Sequence, residues 1–204
     1  MRAILARMRA TLVVLVLLAT SAIAAPPKKP APGAIVLVID RSGSMQGPKL
    51  DAAKEAVEAV VKTLEGDDTV AVVAFDSEAQ VYVRAQSASN RTRIAADLSR
   101  LLAGGGTNMF PGIKEAYEIL QDVKVKAKHV ILLSDGEAPS DGLADLIKDM
   151  RKDKITISTV AVAGADETLL RDIAKDGGGT MYKVDDLKKL SAAFVKDTQL
   201  ALGR

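Results

Sequence analysis

The sequence predicts a doubly wound α/β sandwich, with a mainly parallel sheet between two layers of helices and one antiparallel edge strand. Three observations lead there. Short apolar runs such as Ala34-Ile35-Val36-Leu37-Val38-Ile39 are continuous rather than alternating, as in strands buried on both faces. These runs alternate with amphipathic stretches of helical length, which implies right-handed crossovers onto a parallel sheet. Two of the runs end in a carboxylate, Asp40 and Asp135, where open sheets of this kind bind ligands.

The first residues stand apart from that core. Arg2, Arg7 and Arg9 precede the apolar run Leu12 to Leu18, and Ala22-Ile23-Ala24 follows. This is the layout of a secretory signal peptide over residues 1–24. A cut after Ala24 is expected, because a cut after Ala25 would set Pro26 beside the scissile bond. The apolar run is short for a membrane span. The alternative is an uncleaved signal anchor, the one case in which a membrane would be a partner. The expected address is the periplasm, the cell surface or the medium.

Loss of the leader leaves 25 basic residues against 26 acidic ones, so the basic excess belongs to the leader. No nucleic-acid partner follows from the charge. Trp is absent and aromatic residues make up 3% of the chain, which also argues against a base-stacking platform. There is no cysteine, which excludes disulfides, thiolate metal sites and cysteine nucleophiles.

Residues 25–33 hold four of the seven prolines and read as an extended linker. Residues 34–204 read as the domain. After the first strand, Lys49 to Leu64 places Leu50, Ala53, Val57, Val60, Val61 and Leu64 on one helical stripe. Thr69 to Phe75 is a buried strand. Gln80 to Arg84 follows so closely that it pairs antiparallel, as the edge strand. Asn90 to Leu102 reads as a helix with Ile94, Leu98, Leu101 and Leu102 inward and Ser89 or Asn90 as its cap. Gly104-Gly105-Gly106-Thr107-Asn108 is a loop, and Met109 to Gln121 resumes helix. Strands at Lys128 to Ser134, Thr156 to Ala163 and Thr180 to Val184 alternate with helices at Gly142 to Asp153 and Glu167 to Lys175. Asp186 caps a last helix through Leu187, Leu190, Phe194 and Val195. The expected order across the six strands is 3-2-1-4-5-6.

In such a sheet Asp40 and Asp135 face one crevice if their strands are neighbours where the strand order reverses. Ser42 and Ser44 lie just after Asp40, and Thr107 lies on the glycine-rich loop. Two carboxylates and three hydroxyls on three loops suit a hard octahedral cation, Mg²⁺ or Mn²⁺, better than a large Ca²⁺ cage. Taken singly, each residue also reads as a turn former, and Asn108 competes with Thr107 as a helix cap. Asp76 and Asp166 follow strands without partner hydroxyls and read as turn residues. His129, alone at a strand start, reads as structural.

The pattern Asp40-x-Ser42-x-Ser44, then Thr107 after glycines, then Ser134-Asp135-Gly136, resembles the metal-ion-dependent adhesion site of a von Willebrand factor type A domain. With its leader-like start, the chain resembles the bacterial exported type of that domain. The resemblance spans Gly33 to Leu202 and implies that fold, Rossmann-like in architecture. It implies that Ser42, Ser44 and Thr107 supply hydroxyl ligands and that Asp40 and Asp135 act largely through metal-bound water. It also implies an open position for an Asp or Glu side chain of a partner protein. The expected function is therefore binding, without catalysis. The alternatives are a metal-dependent phosphohydrolase with Asp40 as nucleophile, and a metal-independent structural domain. Against the enzyme, no second Asp stands two residues after Asp40 and no G-x-S-x-G elbow is present.

Overall fold

In the computed structural model of the chain, residues 31–204 are described. The expected signal peptide and residues 25–30 of the linker lie outside the described residues. The central strand β1 (Gly33–Asp40) is buried along its whole length. Its side chains alternate between two cores. Ile35, Leu37 and Ile39 enter one, and Ala34, Val36 and Val38 enter the other.

Both neighbours of β1 are parallel to it: β2 (Thr69–Phe75) on one side and β4 (Ala127–Ser134) on the other. Beyond β4 lie β5 (Ile155–Val162) and β6 (Gly178–Val184), also parallel. The edge strand β3 (Ala79–Ser87) runs antiparallel to β2. The six-stranded sheet thus has the order β3-β2-β1-β4-β5-β6. The order reverses at β1, so the chain leaves β1 and β4 on opposite sides of one opening.

One helical layer contains α1 (Pro48–Thr63), α2 (Arg91–Leu98) and α6 (Leu190–Leu202), packed on the Leu37 face. The other contains α3 (Met109–Asp122), α4 (Leu143–Lys152) and α5 (Glu167–Asp176). Side-chain caps start two of these helices. Asp166 accepts from the Thr168 and Leu169 N–H groups at 3.0 Å each, and Asn108 accepts from Phe110 N–H at 3.2 Å.

Three local expectations change. The helix expected to run to Leu102 ends at Leu98, and Leu102 is 68% exposed rather than inward. Once the chain leaves the helix at Ser99, helical spacing no longer decides which way Leu102 faces. Ile94, Leu98 and Leu101 keep their places in the core. Asn90 stands at the N-cap of α2, but its side-chain amide donates to Gln86 instead of closing the helix end. The first strand begins one residue earlier than expected. Gly33 is already in β1, and its N–H donates to buried Asp68 at 2.9 Å.

His129 is buried as a strut between strand and helix. Its Nε2 lies 2.8 Å from Asp197 of α6, and its Nδ1 lies 2.6 Å from Thr156 of β5.

Candidate metal centre

The register of the sheet assembles the site. Ile39 pairs with Leu133, so Asp40 is level with Ser134, and Asp135 stands one residue beyond. Both aspartates leave the carboxyl edge of the sheet side by side. Asp40 is fully buried and both of its oxygens are engaged. Oδ1 accepts from Ser42 N–H at 2.8 Å and Oδ2 accepts from the Ser134 hydroxyl at 2.7 Å. Burial pushes the Asp40 carboxyl above its ordinary range. Hydrogen bonds from Ser42 and Ser134 oppose that shift, and the nearby charge of Asp135 adds to it.

The two serines follow on a short 3₁₀ turn (Gly43–Met45). Their hydroxyl oxygens are 3.0 Å apart, and the Ser44 hydroxyl donates to Asp135 Oδ1 at 2.7 Å. A hydroxyl that donates its proton to a carboxylate keeps its lone pairs free for a cation. The glycine-rich loop closes over this turn. Gly43 N–H donates to the Gly105 carbonyl at 3.2 Å, and Gly104 N–H donates to the Arg41 carbonyl at 2.7 Å. Gly105 has φ +84°, and a Cβ there would lie 2.7 Å from the Asp76 carboxyl carbon. Only glycine fits that approach. Thr107 then lies against the Asp135 loop, its Oγ1 3.5 Å from where a Cβ on Gly136 would be. The structure therefore brings Asp40, Ser42, Ser44, Thr107 and Asp135 to one crevice.

Two further charged groups frame it. Arg41 pairs with Asp76 and donates to the Leu102 carbonyl and the Tyr82 hydroxyl. Asp76 also takes the Glu78 N–H at 3.0 Å, so its expected turn role holds and a second one is added. Lys49 reaches across the crevice from α1. Its ammonium lies 2.5 Å from Asp135 Oδ2 and 2.9 Å from the Ala163 carbonyl at the end of β5. Sequence reasoning missed Lys49. The available signal was a lysine in the first turn of a helix, where the helix dipole disfavours a cation that has no anionic partner. Glu137 is exposed.

The donor set suits a hard divalent cation by its chemistry: hydroxyl oxygens beside two buried carboxylates. Among the described residues no group of three or more His, Cys, Asp or Glu side chains forms a rival metal site.

Known proteins share this architecture. The chain is 31% identical over 157 residues to an uncharacterised protein of Synechocystis, covering 74% of this chain and 37% of that protein. It superposes on a von Willebrand factor type A structure from Catenulispora acidiphila with a TM-score of 0.78 and 31% identity, covering 85% of this chain and 43% of that one. It also matches proximal thread matrix protein 1 from the mussel byssus, solved with a zinc-occupied MIDAS motif, at a TM-score of 0.74 and 22% identity. That match covers 85% of this chain and 46% of the mussel chain. The chain thus spans less than half the length of each of these relatives. The von Willebrand factor type A family model matches residues 34–196, nearly all of the described domain, and the chain belongs to that family.

Proposed function

We propose that the domain is a metal-dependent protein-interaction module. In this reading Ser42, Ser44 and Thr107 hold Mg²⁺ or Mn²⁺ directly, and Asp40 and Asp135 hold it through bound water. The metal supplies an electrophilic position at the rim, where a partner protein places an Asp or Glu carboxylate. The observation that carries this reading is the convergence of five oxygen-bearing side chains from three loops at the point where the strand order reverses. The zinc-occupied motif of the mussel relative supports it. Export follows from the leader-like residues 1–24. No helix among the described residues is long and apolar enough to cross a membrane.

The phosphohydrolase reading draws less from the geometry. A nucleophilic Asp40 would need a free oxygen aimed at substrate, and both of its oxygens are engaged inside the protein. The lysine nearest the crevice pairs with Asp135, not with Asp40. Pull-down of crosslinked partners from the cell envelope tests the proposal, with and without chelator. Capture that is lost in chelator and restored by Mg²⁺ or Mn²⁺ supports it. Capture unchanged by chelator contradicts it. Turnover of p-nitrophenyl phosphate that requires Mg²⁺ and Asp40 would establish the enzyme instead.

A further inference from the structure

The Asp135 carboxylate is fully buried, yet it is not left for the metal alone. Its Oδ1 takes the Ser44 hydroxyl, and its Oδ2 takes the Lys49 ammonium. Lys49 is fixed at a second point by the Ala163 carbonyl. Its anchors therefore come from two strand ends, and it is held from α1. The loop after β5 comes close enough for this because residue 164 is glycine. Gly164 has φ +102°, and a Cβ there would lie 2.8 Å from the Asp135 carbonyl oxygen.

We infer that Lys49 is a built-in counter-cation that weakens metal binding at the crevice and leaves the metal-loaded site with a positive charge that selects an anionic ligand. The inference rests on the metal reading above. The charge count decides it. Asp40 and Asp135 bring two negative charges, Lys49 cancels one, and the Arg41–Asp76 pair adds none. A divalent cation then makes the site net positive by one unit. Without Lys49 the same cation would only neutralise two carboxylates, and an incoming carboxylate would meet a neutral site. The Lys49 ammonium holds the same Asp135 carboxylate that would hold the cation, so two like charges face each other across it. At that range its repulsion is worth about a tenfold change in metal affinity even with strong screening.

The test uses Mn²⁺ alone as probe, titrated into the purified chain and followed by calorimetry and by the free-Mn²⁺ resonance signal. Lys49→Met should bind Mn²⁺ about tenfold more tightly than wild type, and Lys49→Arg, which keeps the charge, should stay within about twofold. Acetate, a bare carboxylate probe, should tighten Mn²⁺ binding more in wild type than in Lys49→Met. Melting temperature gives a second readout. In chelator Lys49→Met should melt below wild type, because Asp135 is left buried without its cation, and Mn²⁺ should raise it by more than it raises wild type. If the Met variant does not fold, Lys49→Gln takes its place, keeping a donor for Asp135 without the charge. Equal or weaker Mn²⁺ affinity in a folded, uncharged variant would overturn the role of Lys49 while leaving the metal site standing. Absence of Mn²⁺ binding in both wild type and variant would overturn the metal reading and this inference with it.

Discussion

Asp40 shows why a single carboxylate in the crevice serves two purposes. It is an acceptor for Ser42 N–H and the buried Ser134 hydroxyl, and it is a buried negative charge beside Asp135. The two purposes separate by substitution. Asp40→Asn keeps an acceptor oxygen and removes the charge, so the metal-free domain should be as stable as wild type or slightly more so. Asp40→Ala leaves both donors without partners and should cost about 1–3 kcal/mol in urea unfolding. Both variants should lose Mg²⁺ binding in calorimetry. Asp76 gives the pH dependence. Burial alone would raise its pKa, but the Glu78 and Ser77 N–H groups and the Arg41 guanidinium outweigh burial and hold it below the ordinary 3.8. A carboxyl depressed in the folded state stabilises above its unfolded value, and that stability is lost as pH falls through the folded one. Asp76→Asn should therefore flatten the loss of stability below about pH 4, read from urea midpoints across pH. A midpoint that falls as steeply in the variant as in wild type would show that Asp76 is not a source of acid lability.

At the scale of elements, the site depends on how closely helices lie on the sheet. α3 begins two residues after Thr107, so its seating sets the height of that loop. Gly112 makes the close seating possible: a Cβ there would lie 3.0 Å from both Phe75 Cδ1 and Val38 Cγ1. Gly112→Val should overpack this contact, cost about 1–3 kcal/mol in urea unfolding and weaken metal binding without touching a ligand. Unchanged metal affinity in that variant would separate α3 seating from the site. These elements were legible in the sequence because continuous apolar runs and helical stripes carry a strong period. Val36, Leu37 and Val38 could hardly be anything but a strand buried on both faces. The end of α2 was not legible. Leu101 and Leu102 continue the helical spacing, and the contacts that Arg41 makes beyond the helix, to the Leu102 carbonyl and from the Gly104 N–H, exist only in the folded chain. Lys49 was hidden for a related reason. Nothing local links residue 49 to residue 135, and only the folded crossover brings them together.

At the scale of the molecule, the carboxyl edge of the sheet carries the site, while at the other edge Asp68 ties the start of β1 and Arg204 together. Asp68 is fully buried and accepts from Gly33 N–H, Glu65 N–H and two nitrogens of Arg204, the last at 2.6 and 2.9 Å. Arg204→Ala would leave that carboxylate without its cation and should cost about 3 kcal/mol in urea unfolding, with the crevice untouched. A cost near zero would mean that the two backbone donors alone satisfy Asp68. The five candidate ligands could be named from sequence because their spacing resembles the family's metal site; alternating strands and helices imply a parallel sheet, and the order that sets β1 beside β4 is the one expected for that fold. In the proposed function these five residues together hold one divalent cation. Diffraction at the manganese absorption edge, from crystals grown with saturating Mn²⁺, tests it most directly. One anomalous peak should appear in the crevice, in contact with the Ser42, Ser44 and Thr107 hydroxyls, and disappear in Asp40→Ala crystals. An empty crevice at saturating Mn²⁺, or a peak that survives the substitution unchanged, would contradict it.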